Sequence, residues 1–113
     1  MADFYRKVSG NFDHLLQYLH NGILHGSIST SLESSREFSA AGCRTAVRVY
    51  ERYAFLGANR MSLTLVLFQA DKDIEVFAVG SGGSQAMFFK INTWSETGFA
   101  GQIASLLNNY RSD

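Results

Sequence analysis

The chain has 113 residues, 46% of them hydrophobic and 18% charged, with 10 Lys plus Arg against 10 Asp plus Glu. That length suits one domain with one core, and the composition excludes a disordered or collagen-like chain. Zero net charge removes any overall drive toward nucleic acid or anionic lipid.

Nine Phe and five Tyr favour a strand-rich core or an aromatic binding surface, and with no Pro the breaks fall to Gly. A lone Cys43 excludes an internal disulfide and suits a reducing compartment. The opening MADFYRKVSG has no apolar stretch of the secretory kind. The longest apolar runs, such as Leu65–Phe68, are too short for a bilayer. A cytoplasmic, soluble protein with no membrane contact is expected.

In chain order, Met1–Gly10 reads as a lead-in. A helix follows from Asn11, because Phe12, Leu15, Leu16 and Leu19 share one stripe. Ser9 or Asn11 can cap it, and Asn21–Gly22 is its expected end. Ser27–Ser34 alternates polar and apolar residues, an edge-strand pattern. Ser34–Cys43 has no clear period and reads as a loop.

Arg44–Leu56 alternates in two registers. The set Thr45, Val47, Val49, Glu51, Tyr53 and Phe55 is the more apolar and is expected to face the core. The set with Arg48, Tyr50 and Arg52 would then face away. Gly57–Asn59 is a hairpin turn, and Met61, Leu63, Leu65 and Leu67 give the next strand its core face. After a polar turn at Asp71–Asp73 come a strand at Ile74–Val79, a GSGGS turn at Gly80–Ser84 and a fifth strand at Gln85–Ile91. A capping box at Thr93 and Glu96 starts the last helix, whose stripe is Phe99, Ile103, Leu106, Leu107 and Tyr110. Short connections favour antiparallel neighbours. The predicted architecture is a single α+β domain over residues 1–113. A five-stranded antiparallel meander carries an N-terminal and a C-terminal helix on one face.

Few residues suggest chemistry. His14, His20 and His25 fall on different helix faces, so no metal site is expected, and no cofactor. The GSGGS turn lacks the Lys and Ser/Thr of a phosphate loop and the third Gly of a dinucleotide fingerprint. Glu51 on the supposed core face would be a costly buried carboxylate unless paired with Arg44 or Lys90. With Lys90 and the GSGGS turn it outlines a pocket between sheet and helices. Cys43 has no placed partner as a nucleophile.

The face opposite the helices is more informative. It is expected to carry Arg48, Tyr50, Arg52, Phe68, Phe77 and Phe88, too much apolar surface for a face that only meets water. Self-association is the simplest use, since an isologous contact employs one patch twice. The leading expectation is therefore a non-enzymatic protein that forms a homo-oligomer, a dimer first, or binds a partner there. Its rival is a small-molecule binder or enzyme using the Glu51–Lys90 pocket. Single-stranded nucleic acid, stacked on aromatics between arginines, is disfavoured by the neutral charge and the lack of an RNP-like run.

The segments VRVYERY, NRMSLTLVLFQ and GSGGSQAMFFKINTWSE resemble those of a small uncharacterised bacterial protein family of unknown function, across essentially the whole chain. The resemblance implies a freestanding domain and transfers no functional residue.

Overall fold

Leu63, Leu65 and Leu67 are wholly inaccessible, and everything else in the fold is arranged around them. The computed structural model describes residues 2–26, 29–53, 60–82 and 99–111. Its elements are β1 (Ala2–Ser9), α1 (Phe12–His25), β2 (Ser31–Ala40), β3 (Cys43–Tyr53), β4 (Arg60–Gln69), β5 (Asp73–Gly82) and α2 (Phe99–Asn108). The strands form one open antiparallel sheet in the order β1-β5-β4-β3-β2. Strands β2 to β5 run as a meander, and β1 closes onto β5. The α+β class, with one helix from each end of the chain, holds.

One strand arises where none was expected, and another runs well past its expected end. β1 occupies the supposed lead-in. Phe4 and Val8 pack on the core while Asp3, Tyr5 and Lys7 alternate outward. Arg6 on the inward side masks this alternation in the sequence, and its guanidinium lies over Phe4 and donates to Asn108 Oδ1 at 2.9 Å. β2 runs through Ala40, so most of Ser34–Cys43 is strand rather than loop. All ten of its residues are exposed, which leaves no apolar period to read. The expected strand Gln85–Ile91 and the Thr93–Glu96 box lie outside the described residues, as do Phe88 and Lys90. Gly80, Ser81 and Gly82 belong to β5 rather than to a turn.

α1 starts as the sequence predicts: Asn11 caps it, its Oδ1 accepting from the His14 backbone N–H at 2.9 Å. It does not stop at Gly22. That glycine is a contact point between helices, because a Cβ there would lie 2.5 Å from Leu106 Cδ2. Phe12, Leu15, Leu16, Leu19 and Ile23 of α1, with Ile103 and Leu107 of α2, bury one sheet face. Tyr18 ties the helices together by donating to the Leu106 carbonyl at 2.6 Å.

The β2–β3 turn is Ala41–Gly42, with φ of 53° and 82°. Positive φ at both residues marks the primed turn that matches strand twist, and it strains an alanine by roughly 1 kcal/mol. Ala41→Asn should therefore raise stability by up to about 1 kcal/mol, read as a higher urea midpoint with an unchanged slope.

The register of β3 is opposite to the one expected. Tyr50 pairs with Leu63 and Ala46 with Leu67, which puts both on the helix side. Tyr50 is 0% exposed and Ala46 is 1% exposed. Arg44, Arg48 and Arg52 share that side, whereas Thr45, Val47, Val49, Glu51 and Tyr53 face away from the helices. The helices cover β1, β5 and β4 well but only border β3. Arginines can therefore stand on the covered side at its margin, with their stems packed on the sheet.

Candidate interaction surface

Turning β3 over changes the composition of the helix-free face. Arg48, Tyr50 and Arg52 leave it, and Val47 and Val49 enter. Phe38 joins them, because β2 extends through it. Pairing across the strands sets out the face in rows: Tyr5–Phe77–Val66–Val47–Arg36, then Lys7–Glu75–Phe68–Thr45–Phe38, then Asp3–Val79–Thr64–Val49–Ser34. An apolar band of Phe38, Val47, Val49, Val66, Phe68, Phe77 and Val79 crosses the sheet. Phe38 is 59% and Phe77 39% exposed, large fractions for phenylalanine.

Charges sit at the ends of that band. The β1–β5 end carries Asp3, Asp73 and Glu75 with Lys7, and Tyr5 donates its hydroxyl to Glu75 Oε1 at 2.7 Å. The other end carries Arg36, with Arg60 and Glu51 paired at 3.4 Å. Arg60 also donates to the Tyr53 hydroxyl at 2.8 Å.

Among the residues singled out from sequence, Phe68 and Phe77 lie on this face. Arg48, Tyr50 and Arg52 lie on the opposite one. The arginines suggested for single-strand stacking, Arg48 and Arg52, are therefore on the other side of the sheet from Phe68 and Phe77. Glu51 faces away from the helices and pairs with Arg60 rather than Arg44. A shallow depression of about 400 Å³ lined by Asp3, Phe4, Tyr5 and Ala104 lies at the β1 edge, with two strands between it and Glu51's strand. Val47, Val49 and Phe38 were missed as surface residues. The available signal was cross-strand: only one phase of β3 puts an aromatic and an alanine beside Leu63 and Leu67.

The three histidines have three separate partners. His14 Nδ1 is 3.1 Å from the Tyr110 hydroxyl, His25 Nδ1 donates to the Asn21 carbonyl at 2.7 Å, and His20 Nδ1 is 2.8 Å from the Tyr50 hydroxyl. Among the described residues, no three His, Cys, Asp or Glu side chains gather as a metal site would require, and no helix is long and apolar enough to cross a membrane.

On the helix side, β3 borders α1 through a polar network. Arg44 lies over the Phe12 ring at 4.2 Å and holds Asp13 at 2.9 and 3.2 Å. That pairing keeps the Asp13 carboxyl below its usual range. Burial first, and then the neighbouring Arg48 charge, hold the His20 imidazole below its ordinary 6.5. Burial likewise raises the Tyr50 phenol, against a smaller opposing effect of Arg48.

Both groups are thus neutral near pH 7. The unfolded chain binds a proton at His20 before the folded one does. The stability from neutral His20 is therefore complete above pH 6.5 and declines as pH falls below it. Urea melts across that range should show the decline, and His20→Gln should remove this component while leaving the Asp13 component at lower pH.

The deciding comparison is at the level of the whole chain, because a family profile matches residues 1–111. The chain belongs to a family of unknown function, DUF6054. No curated protein matches it. For this DUF6054 chain the residues themselves must therefore carry the functional reading.

Proposed function

We propose that this protein acts by binding rather than by catalysis, and that its helix-free sheet face packs against the same face of a second copy. The observation behind this is the apolar band from Phe38 to Phe77, with the opposed charges at its ends. When two copies meet face to face about a two-fold axis, the β1 edge of one can lie over the β2 edge of the other. Asp3 and Glu75 then approach Arg36 of the partner, and the valines and phenylalanines between them exclude water. An isologous contact of this kind uses one patch twice, and complementary end charges set its orientation.

The size is adequate. Five strands about 4.8 Å apart and eight residues long cover roughly 600 Å² in projection. A standard interface removes about 800 Å² of accessible surface per partner.

Sedimentation velocity and light scattering test the reading. The wild-type chain should be a dimer at micromolar concentration, and Phe77→Glu and Phe38→Glu should each yield folded monomers. Arg36→Glu should weaken the dimer, and adding Glu75→Arg in the same chain should restore it. A wild-type monomer at every concentration would overturn the proposal, as would dimers indifferent to all of these changes.

A further inference from the structure

The other side of the sheet carries a second feature that self-association does not use. α1 lies beside β3 but stops short of β2, whose residues are exposed on both faces. Among the described residues this forms a ledge, floored by β3 and β2 and walled by α1. Arg48 stands at its base with its side chain only 19% exposed.

Among the described residues, Arg48 lacks a close counter-charge. Its Nε is buried and has no hydrogen-bond acceptor. The nearest described carboxylate oxygen is Glu37 Oε2, 4.0 Å from Nη2. The other Glu37 oxygen is 3.4 Å from Arg44, which also holds both oxygens of Asp13. Of the two acids around the ledge, one is committed to Arg44 and the other is shared and distant. A largely dehydrated guanidinium in that position favours a better anion.

The donors around it point to an oxyanion. The His20 ring, with Nδ1 2.8 Å from the Tyr50 hydroxyl, lies close enough to feel the Arg48 charge. Ser35 is directly across from Arg48 on exposed β2 and adds a hydroxyl. Arg48 supplies the forked N–H pair that matches a carboxylate or phosphate. Glu37 occupies the position such a ligand would take, which makes it a weak internal competitor.

We propose that this ledge is a binding site for a small oxyanion, a carboxylate or phosphate group held by Arg48 and Ser35 with the His20 ring at its margin, displacing Glu37.

The test is an NMR titration of the full-length chain with inorganic phosphate and, separately, with acetate, each against chloride at equal ionic strength. Saturable movement of the His20 ring resonances is expected with at least one of them, and which one responds identifies the ligand class. Arg48→Gln should weaken binding by about tenfold or more, the usual loss for a charge-assisted contact. Glu37→Gln, on an exposed strand where it leaves folding intact, should tighten it severalfold by removing the competitor. Responses no different from chloride would overturn the proposal. So would an Arg48→Gln variant of unchanged affinity, or a Glu37→Gln variant that binds no more tightly than wild type.

Discussion

Replacing Tyr50 with alanine should destabilise the protein by about 3–5 kcal/mol, the range for removing a buried aromatic side chain. Tyr50 is 0% exposed, sits opposite Leu63 and Leu32, and has its hydroxyl 2.8 Å from His20. Its removal opens a cavity beneath α1 and leaves a half-buried imidazole without its partner. Tyr50→Phe keeps the ring and should cost only about 1 kcal/mol, the net worth of one hydrogen bond. Val47→Ala, on the opposite side of the same strand, should cost less than about 1 kcal/mol in the unassociated chain. Urea denaturation of the three variants at low protein concentration separates the two phases of β3. In the opposite phase the Tyr50 and Val47 effects would change places.

The second large effect belongs to Leu65. It is fully buried on β4, the central strand, with Ala78 and Arg48 as its cross-strand neighbours. Ala78 is too small to fill space that Leu65 vacates, and the paired strands on both sides resist collapse. Leu65→Ala should therefore lie toward the upper part of the Leu→Ala range, roughly 3–4 kcal/mol. For a chain of this length that corresponds to a fall in Tm on the order of 10 °C or more. The loss should not depend on protein concentration, because Leu65 faces the helices. A variant of the open face such as Phe77→Glu behaves differently if copies associate there. Its effect should appear mainly as a concentration-dependent term in the melt. Thermal denaturation of both variants over a range of concentrations makes the comparison.

Much of the fold is legible along the chain because some elements have one unambiguous apolar side. In α1 the stripe Phe12, Leu15, Leu16, Leu19 and Ile23 can face only one way. On β4, Leu63, Leu65 and Leu67 contrast with Ser62 and Thr64. Elements with no clean apolar side of their own are harder to read. β1 hides behind Arg6, an inward-facing arginine whose stem packs while its head finds Asn108. β2 has no buried residue at all, so its sequence carries no trace of a core. It is held as a strand by pairing with β3 on one side alone.

The candidate surface depends on the same distinction. Phe68 and Phe77 can be placed from their own strands, since each alternates with a clear core residue. Tyr50, Val47 and Val49 cannot, because both faces of β3 carry apolar side chains. Counting valines puts the wrong one inward. The sequence by itself determined the α+β class, the core face of β4, and the presence of apolar side chains on the second face of the sheet. The phase of β3 was decided by the tertiary structure alone, and with it the membership of that face and the Arg48–Tyr50–His20 network. Periodicity along a strand states that its two faces differ, but only pairing with β4 and the position of α1 decide which face is covered.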